Sequence, residues 1–195
     1  EHKILNYWIG FEQLFSAIDT EEDSITRMKT FYTSLNLTYY FQRRVNYLMD
    51  ALNRNNFNYK RKKITSKIFD NIFDEKKLTG KNPLLICRLE RYISLNNRKD
   101  IQRYVEQHTN RLNQHLTRIY RVRNELVHEG KTKMNIRLLA GHLRHYLLFS
   151  IEQITHEICE NDTIEKIDDA FVYFENMKER IKHSENLSEI LKIKE

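Results

Sequence analysis

The sequence predicts an all-α protein, a helical bundle of long antiparallel helices with a helical extension at its C-terminal end. Three observations predict it. One proline and four glycines in 195 residues leave little material for the tight turns of sandwiches and barrels, or for Gly-rich phosphate loops. Apolar residues recur at helical spacing over stretches longer than strands usually reach. A composition of 40% hydrophobic and 31% charged residues is too apolar for disorder and too charged for a membrane protein. Apolar runs such as Leu84 to Cys87 and Tyr146 to Phe149 are only a few residues long, far too short to span a bilayer.

The first helix is predicted from Lys3 to Ile18, where Ile4, Trp8, Phe11, Phe15 and Ile18 recur every three or four residues before the polar stretch Asp19 to Asp23. Ser24 then caps a long second helix with Ile25, Met28, Tyr32, Leu35, Tyr39, Val45 and Leu52 on or near one face. A polar break at Asn53 to Asn58 precedes a shorter helix from Ile64 to Phe73, and Gly80 to Pro83 is the clearest stop. Leu84 to Leu95 reads as the next helix. Another runs from Arg98 to Glu129 and ends at Gly130, the usual residue for a left-handed helix terminus. Two more cover Met134 to Glu160 and Thr163 to His183, and the tail from Ser184 has an apolar rhythm without a visible partner. The expected organisation is one bundle over residues 1–160, with residues 161–195 a C-terminal helix and tail packed on it or extending from it.

The net charge of +6 is unevenly placed. Between Arg111 and His145 eight Lys and Arg face two acids, whereas from Ile151 to Glu195 twelve acids face six bases. Residues 1–110 add the run Lys60 to Lys63. Such a field draws a polyanion to one side, although a solvated helix face without a partner has the same composition. Cys87 and Cys159 lie far apart and outside any metal spacing, as expected of two unpaired thiols in a reducing, cytoplasmic compartment. No basic segment and apolar core of a secretory signal follow Glu1, and the expectation is a piece of a longer chain. His142 with His145, or His156 with Glu152 and Glu160, have helical ligand spacing, but no second motif completes a metal site. No metal or cofactor is expected.

One residue breaks the pattern. In the helix before Gly130, the apolar positions Ile101, Val105, Leu112, Leu116, Ile119 and Leu126 form a narrow stripe, and Arg123 falls within it. A guanidinium keeps its proton, and unpaired in a dry core it costs several kcal/mol. The stripe therefore requires a carboxylate, a subunit boundary or a phosphate beside Arg123, or an escape of the guanidinium to the edge.

The residues that follow read Arg123-Asn124-Glu125-Leu126-Val127-His128. The same Arg-to-His spacing occurs at Arg103 and His108 and at Arg137 and His142, but only the copy at 123 has Asn next to the arginine, a Gly just beyond, and its arginine on the apolar stripe. Upstream, Tyr7-Trp8-Ile9-Gly10-Phe11-Glu12-Gln13-Leu14-Phe15 opens the chain, and Leu116-Thr117-Arg118-Ile119-Tyr120-Arg121-Val122 leads into the motif. Together these stretches resemble the ApeA-like group of the HEPN superfamily, RNA-cleaving helical domains of bacterial antiviral defence. The likeness covers residues 3–160.

The resemblance implies a metal-independent endoribonuclease, the effector part of an antiphage or abortive-infection protein whose sensor lies elsewhere in the full chain. RNA cleavage without a metal needs a base for the ribose 2′-OH, an acid for the 5′ oxygen and a cation on the charged phosphorane. Histidine suits the proton steps and arginine the phosphate. Arg123 and His128 would be catalytic, Asn124 would position one of them or bond the phosphate, and the product would carry a 2′,3′-cyclic phosphate. Five helical residues turn the chain by about 140°, so Arg123 and His128 do not share a face. Either the last turn loosens or two chains combine, and the superfamily's face-to-face pairing implies a homodimer with a composite site.

Glu12 is a candidate counter-charge for Arg123, with an ordinary boundary glutamate as the alternative. Tyr120, Arg121 and Arg118 are candidates for lining an RNA path, and Lys131 and Lys133 for general attraction of RNA, a tRNA or another cellular RNA. In related toxins a tyrosine often follows two residues after the motif histidine; here Gly130 stands there, which argues against control by modifying that residue. The competing reading is a non-catalytic HEPN-like module that dimerises and binds RNA or nucleotides without cutting.

Overall fold

The helical spacing is realised in seven helices, with no strand, among residues 2–16, 21–54 and 83–193, the part that a computed structural model of the chain describes. In chain order these are α1 (His2–Ser16), α2 (Ser24–Arg54), α3 (Pro83–Ile93), α4 (Arg98–Glu129), α5 (Ile136–Glu160), α6 (Ile167–His183) and α7 (Leu187–Lys192). The helix expected at Ile64 to Phe73, the basic run Lys60 to Lys63 and the start of the stop at Gly80 lie outside the described residues. Among the described residues no helix is long and apolar enough to cross a membrane.

Short polar side chains fix the helix ends. Asp23, not Ser24, starts α2: its carboxylate accepts from the Thr26 backbone N–H at 2.7 Å, and the Thr26 hydrogen bonds hold the carboxyl below its ordinary range. Asn97 accepts from the Asp100 N–H at the start of α4, and Asn135 from the Leu138 N–H at the start of α5. Gly130 closes α4 at φ 67°, its N–H bonded to the Leu126 carbonyl. Residues 163–166, expected to be helical, precede α6, because the Asp169 carboxylate takes up the N–H groups of Glu165 and Lys166.

The chain divides into two compact units. Glu1–Asn36 with Gln107–Asn176 make the first; Leu37–Glu106 with Met177–Glu195 make the second. In the first unit Ile4, Trp8, Phe11 and Phe15 of α1 are at most 1% exposed. Their rings meet three other helices: Trp8 lies 5.5 Å from Tyr120, Phe11 5.4 Å from Tyr32 and Phe15 5.3 Å from Phe171. Against α5 the contact is closer still. A Cβ on Gly10 would stand 3.2 Å from the end of Leu147. Helices α4 and α5 run antiparallel: a short loop joins them, and His115 of α4 meets Tyr146 and His142 of α5.

The second unit has its own core. Phe41, Val45 and Leu52 of α2, Leu85 and Tyr92 of α3, and Ile101 and Val105 of α4 are buried together. Leu187, Ile190 and Leu191 join them, and the Leu187 N–H bonds the Leu95 carbonyl at 3.1 Å. The tail that seemed partnerless from sequence is thus a built part of this unit. Cys87 and Cys159 are free and exposed. Leu191→Ala is expected to lower stability by about 2–5 kcal/mol through lost apolar contact and an incompletely collapsed cavity. Urea unfolding checks it; an unchanged midpoint would show that the tail contributes nothing to the core.

Candidate functional site

The motif lies in the last two turns of α4. That helix stays α-helical to Glu129, with the Gly130 N–H still bonded four residues back. The last turn does not loosen. Arg123 and His128 of one chain therefore remain about 140° apart around the axis.

Arg123 is half-buried rather than sunk in the core, and the fully buried position beside it is Val122, 1% exposed. A long side chain on a buried stripe relieves its charge by reaching the stripe's edge. Its Nη1 donates to Oδ1 of Asn124 at 3.0 Å, so the adjacent amide orients the guanidinium. His128 is exposed, as is Val127 beside it at 50%. Arg103 and Arg137, the arginines of the other two copies of the spacing, are exposed.

Glu12 does not pair with Arg123. One carboxylate oxygen accepts from the Trp8 indole N–H at 3.1 Å, and the other accepts from the Ser24 hydroxyl. The carboxylate thus gives the buried indole, one turn back on α1, its acceptor, and ties the start of α2 to α1. Tyr120 is half-buried and packs its ring against Trp8. Arg118 and Arg121 both line an open groove of about 690 Å³ on α4 that also includes Asn113, Gln114 and Glu125. Glu125 accepts from the Thr132 hydroxyl, whose oxygen accepts from the Met134 N–H, and this pins the loop that carries the exposed Lys131 and Lys133.

Two further features belong to the same helix. Asn110, Asn113, Gln114, Thr117, Arg118 and Arg121 follow helical spacing, so the groove is readable as a polar stripe on α4. The second is a histidine–tyrosine cluster between α4 and α5. His115 Nδ1 lies 2.7 Å from the Tyr146 hydroxyl, and the His142 ring is 4.8 Å from that of His115. Burial pushes the Tyr146 phenol up to about 12. Burial, then the neighbouring His142 and Arg118, hold the His115 imidazole below its ordinary 6.5. His145 stacks on Phe149 at 6.1 Å, and no group of three or more His, Cys, Asp or Glu among the described residues is placed to hold a metal ion. Comparison of the chain with known protein families, with curated proteins and with solved structures yields no match.

The His115 shift has a stability consequence. The folded imidazole binds its proton less readily than the unfolded one. Its contribution is therefore whole above about pH 6.5 and is lost as pH falls through the lowered folded value. Urea midpoints between pH 7.5 and 5 should fall, and His115→Gln should flatten part of that fall. An identical profile in the variant would refute the assignment.

Proposed function

We propose that the chain is a HEPN-type endoribonuclease domain that cleaves RNA through the ribose 2′-OH without a metal, acting as a homodimer. The observation that carries this reading is the exposed His128 five residues beyond an arginine whose guanidinium is held by Asn124, at the end of an unbroken helix. Because that helix holds the two side chains apart, His128 of one copy would act with Arg123 of the other. The exposed Val127 beside His128 supports such pairing, since a two-fold interface covers the same apolar surface on both copies.

In this mechanism one imidazole takes the 2′-OH proton and the 2′ oxygen attacks the adjacent phosphorus. The guanidinium steadies the phosphorane with two parallel hydrogen bonds, and the 5′ oxygen leaves with a proton from the second imidazole. A 2′,3′-cyclic phosphate and a 5′-hydroxyl result. Arg118 and Arg121 would hold the incoming strand by its phosphates along their groove, and Lys131 and Lys133 would add attraction. The setting fitted to such an activity is a cytoplasmic antiphage or abortive-infection protein in which a separate sensor region releases the nuclease.

A second reading follows from the same helix. Were the copies not to pair, one chain would present Arg123 and His128 on different sides and bind RNA or nucleotide without cutting. His128→Ala is expected to reduce cleavage of total RNA or tRNA by about 10²–10⁴-fold, with EDTA without effect and light scattering giving a dimer mass. Activity that survives the substitution would refute the site; an inactive, strictly monomeric chain would favour the binding module.

A further inference from the structure

The second unit carries a cleft that neither the motif nor the groove on α4 explains. It has a volume of about 240 Å³, and α2, α3 and α4 wall it. Three arginines reach it, Arg44 from α2 and Arg88 and Arg91 one turn apart on α3. Among the described residues that line it there is no carboxylate. Three arginines line one small space, and an anion seated in it would meet positive charge from each of them.

The rest of the wall is phenolic. Tyr40 and Tyr104 are joined hydroxyl to hydroxyl at 2.9 Å, and the Arg44 guanidinium lies 5.3 Å above the Tyr40 ring. Burial pushes Tyr92 up to about 12 and Tyr104 higher still, so both remain neutral donors at neutral pH. Tyr47, at the mouth, is 67% exposed. A large, bare aromatic beside three cations has the two parts used to hold a nucleotide: a stacking face for the base and forked donors for the phosphate.

We propose that this cleft binds a nucleotide, with Arg44, Arg88 and Arg91 on its phosphate and Tyr47 against its base. The volume is just below that of pockets which enclose a whole small ligand, roughly 300–1,000 Å³. The phosphate therefore enters the cleft while the base lies at the mouth. A free mononucleotide and the phosphorylated end of a strand offer the same chemistry. The site is built from other residues than Arg123 and His128, and it stands or falls independently of RNA cleavage.

Calorimetry on the whole chain tests it with 5′-AMP, adenosine, inorganic phosphate, a phosphoserine peptide, and a tetradeoxyadenylate with and without a 5′-phosphate. The deoxy strand lacks the 2′-OH and cannot be cut by the route above. The expected result is binding of AMP, of the 5′-phosphorylated strand, or of both, each at least about tenfold tighter than its counterpart without phosphate and than inorganic phosphate. The tighter of the two identifies the source, a free nucleotide or a strand end. Replacing both Arg88 and Arg91 by Ala, which removes two exposed side chains, should weaken binding about tenfold or more; Tyr47→Ala should weaken AMP but not inorganic phosphate. No binding, equal binding of AMP and inorganic phosphate, a preference for the peptide, or unchanged affinity in the double variant would each overturn the proposal.

Discussion

Burial of one aromatic face orders the first unit. Trp8, Phe11 and Phe15 stand at helical spacing on α1, and each meets a different helix: Tyr120 on α4, Tyr32 on α2 and Phe171 on α6. Removing side chains of this size from water contributes about 1.5–3 kcal/mol apiece. Gly10 stands between them in sequence and lets α1 approach Leu147 on α5. A short helix thus fixes four neighbours, and with them the direction in which the end of α4 presents its motif. The one polar cost, the indole N–H of Trp8, is met by Glu12 four residues on.

Most helices were legible because local physics sets them. The Trp8, Phe11 and Phe15 spacing located α1, and Gly130, at φ 67°, does end α4 as its lack of a Cβ allows. What failed to show were choices made by distant residues. Asp23 and Ser24 are both good caps, and Asp23 takes the role while the Ser24 hydroxyl turns to Glu12 on another helix. Glu12 has the charge to partner Arg123, but the buried indole N–H of Trp8 takes one of its oxygens. The tail gave an apolar rhythm with no sign that Leu95, some ninety residues earlier, would receive it. Nothing local to His115 announces Tyr146, 31 residues on.

The motif illustrates how far a helix constrains chemistry. Hydrogen bonds that continue to Gly130 leave no freedom to swing His128 towards Arg123 within one chain. Rigid spacing excludes some arrangements and leaves others open, so the geometry bears on who supplies each group before it bears on any rate. The Arg123 position also shows that a pattern centred on a charged residue gives its flank, not its depth. Val122 occupies the interior, and the guanidinium rests at the margin against Asn124.

The two exposed sulfhydryls, Cys87 and Cys159, have a consequence of their own. In air, thiolates on separate copies couple, because each is open to attack and neither has an internal mate. Covalent pairs made in this way would join chains at α3 or at the far end of α5. Their mass would imitate a symmetric assembly without bringing the two helix ends together, and only a reductant distinguishes that artefact from true two-fold association.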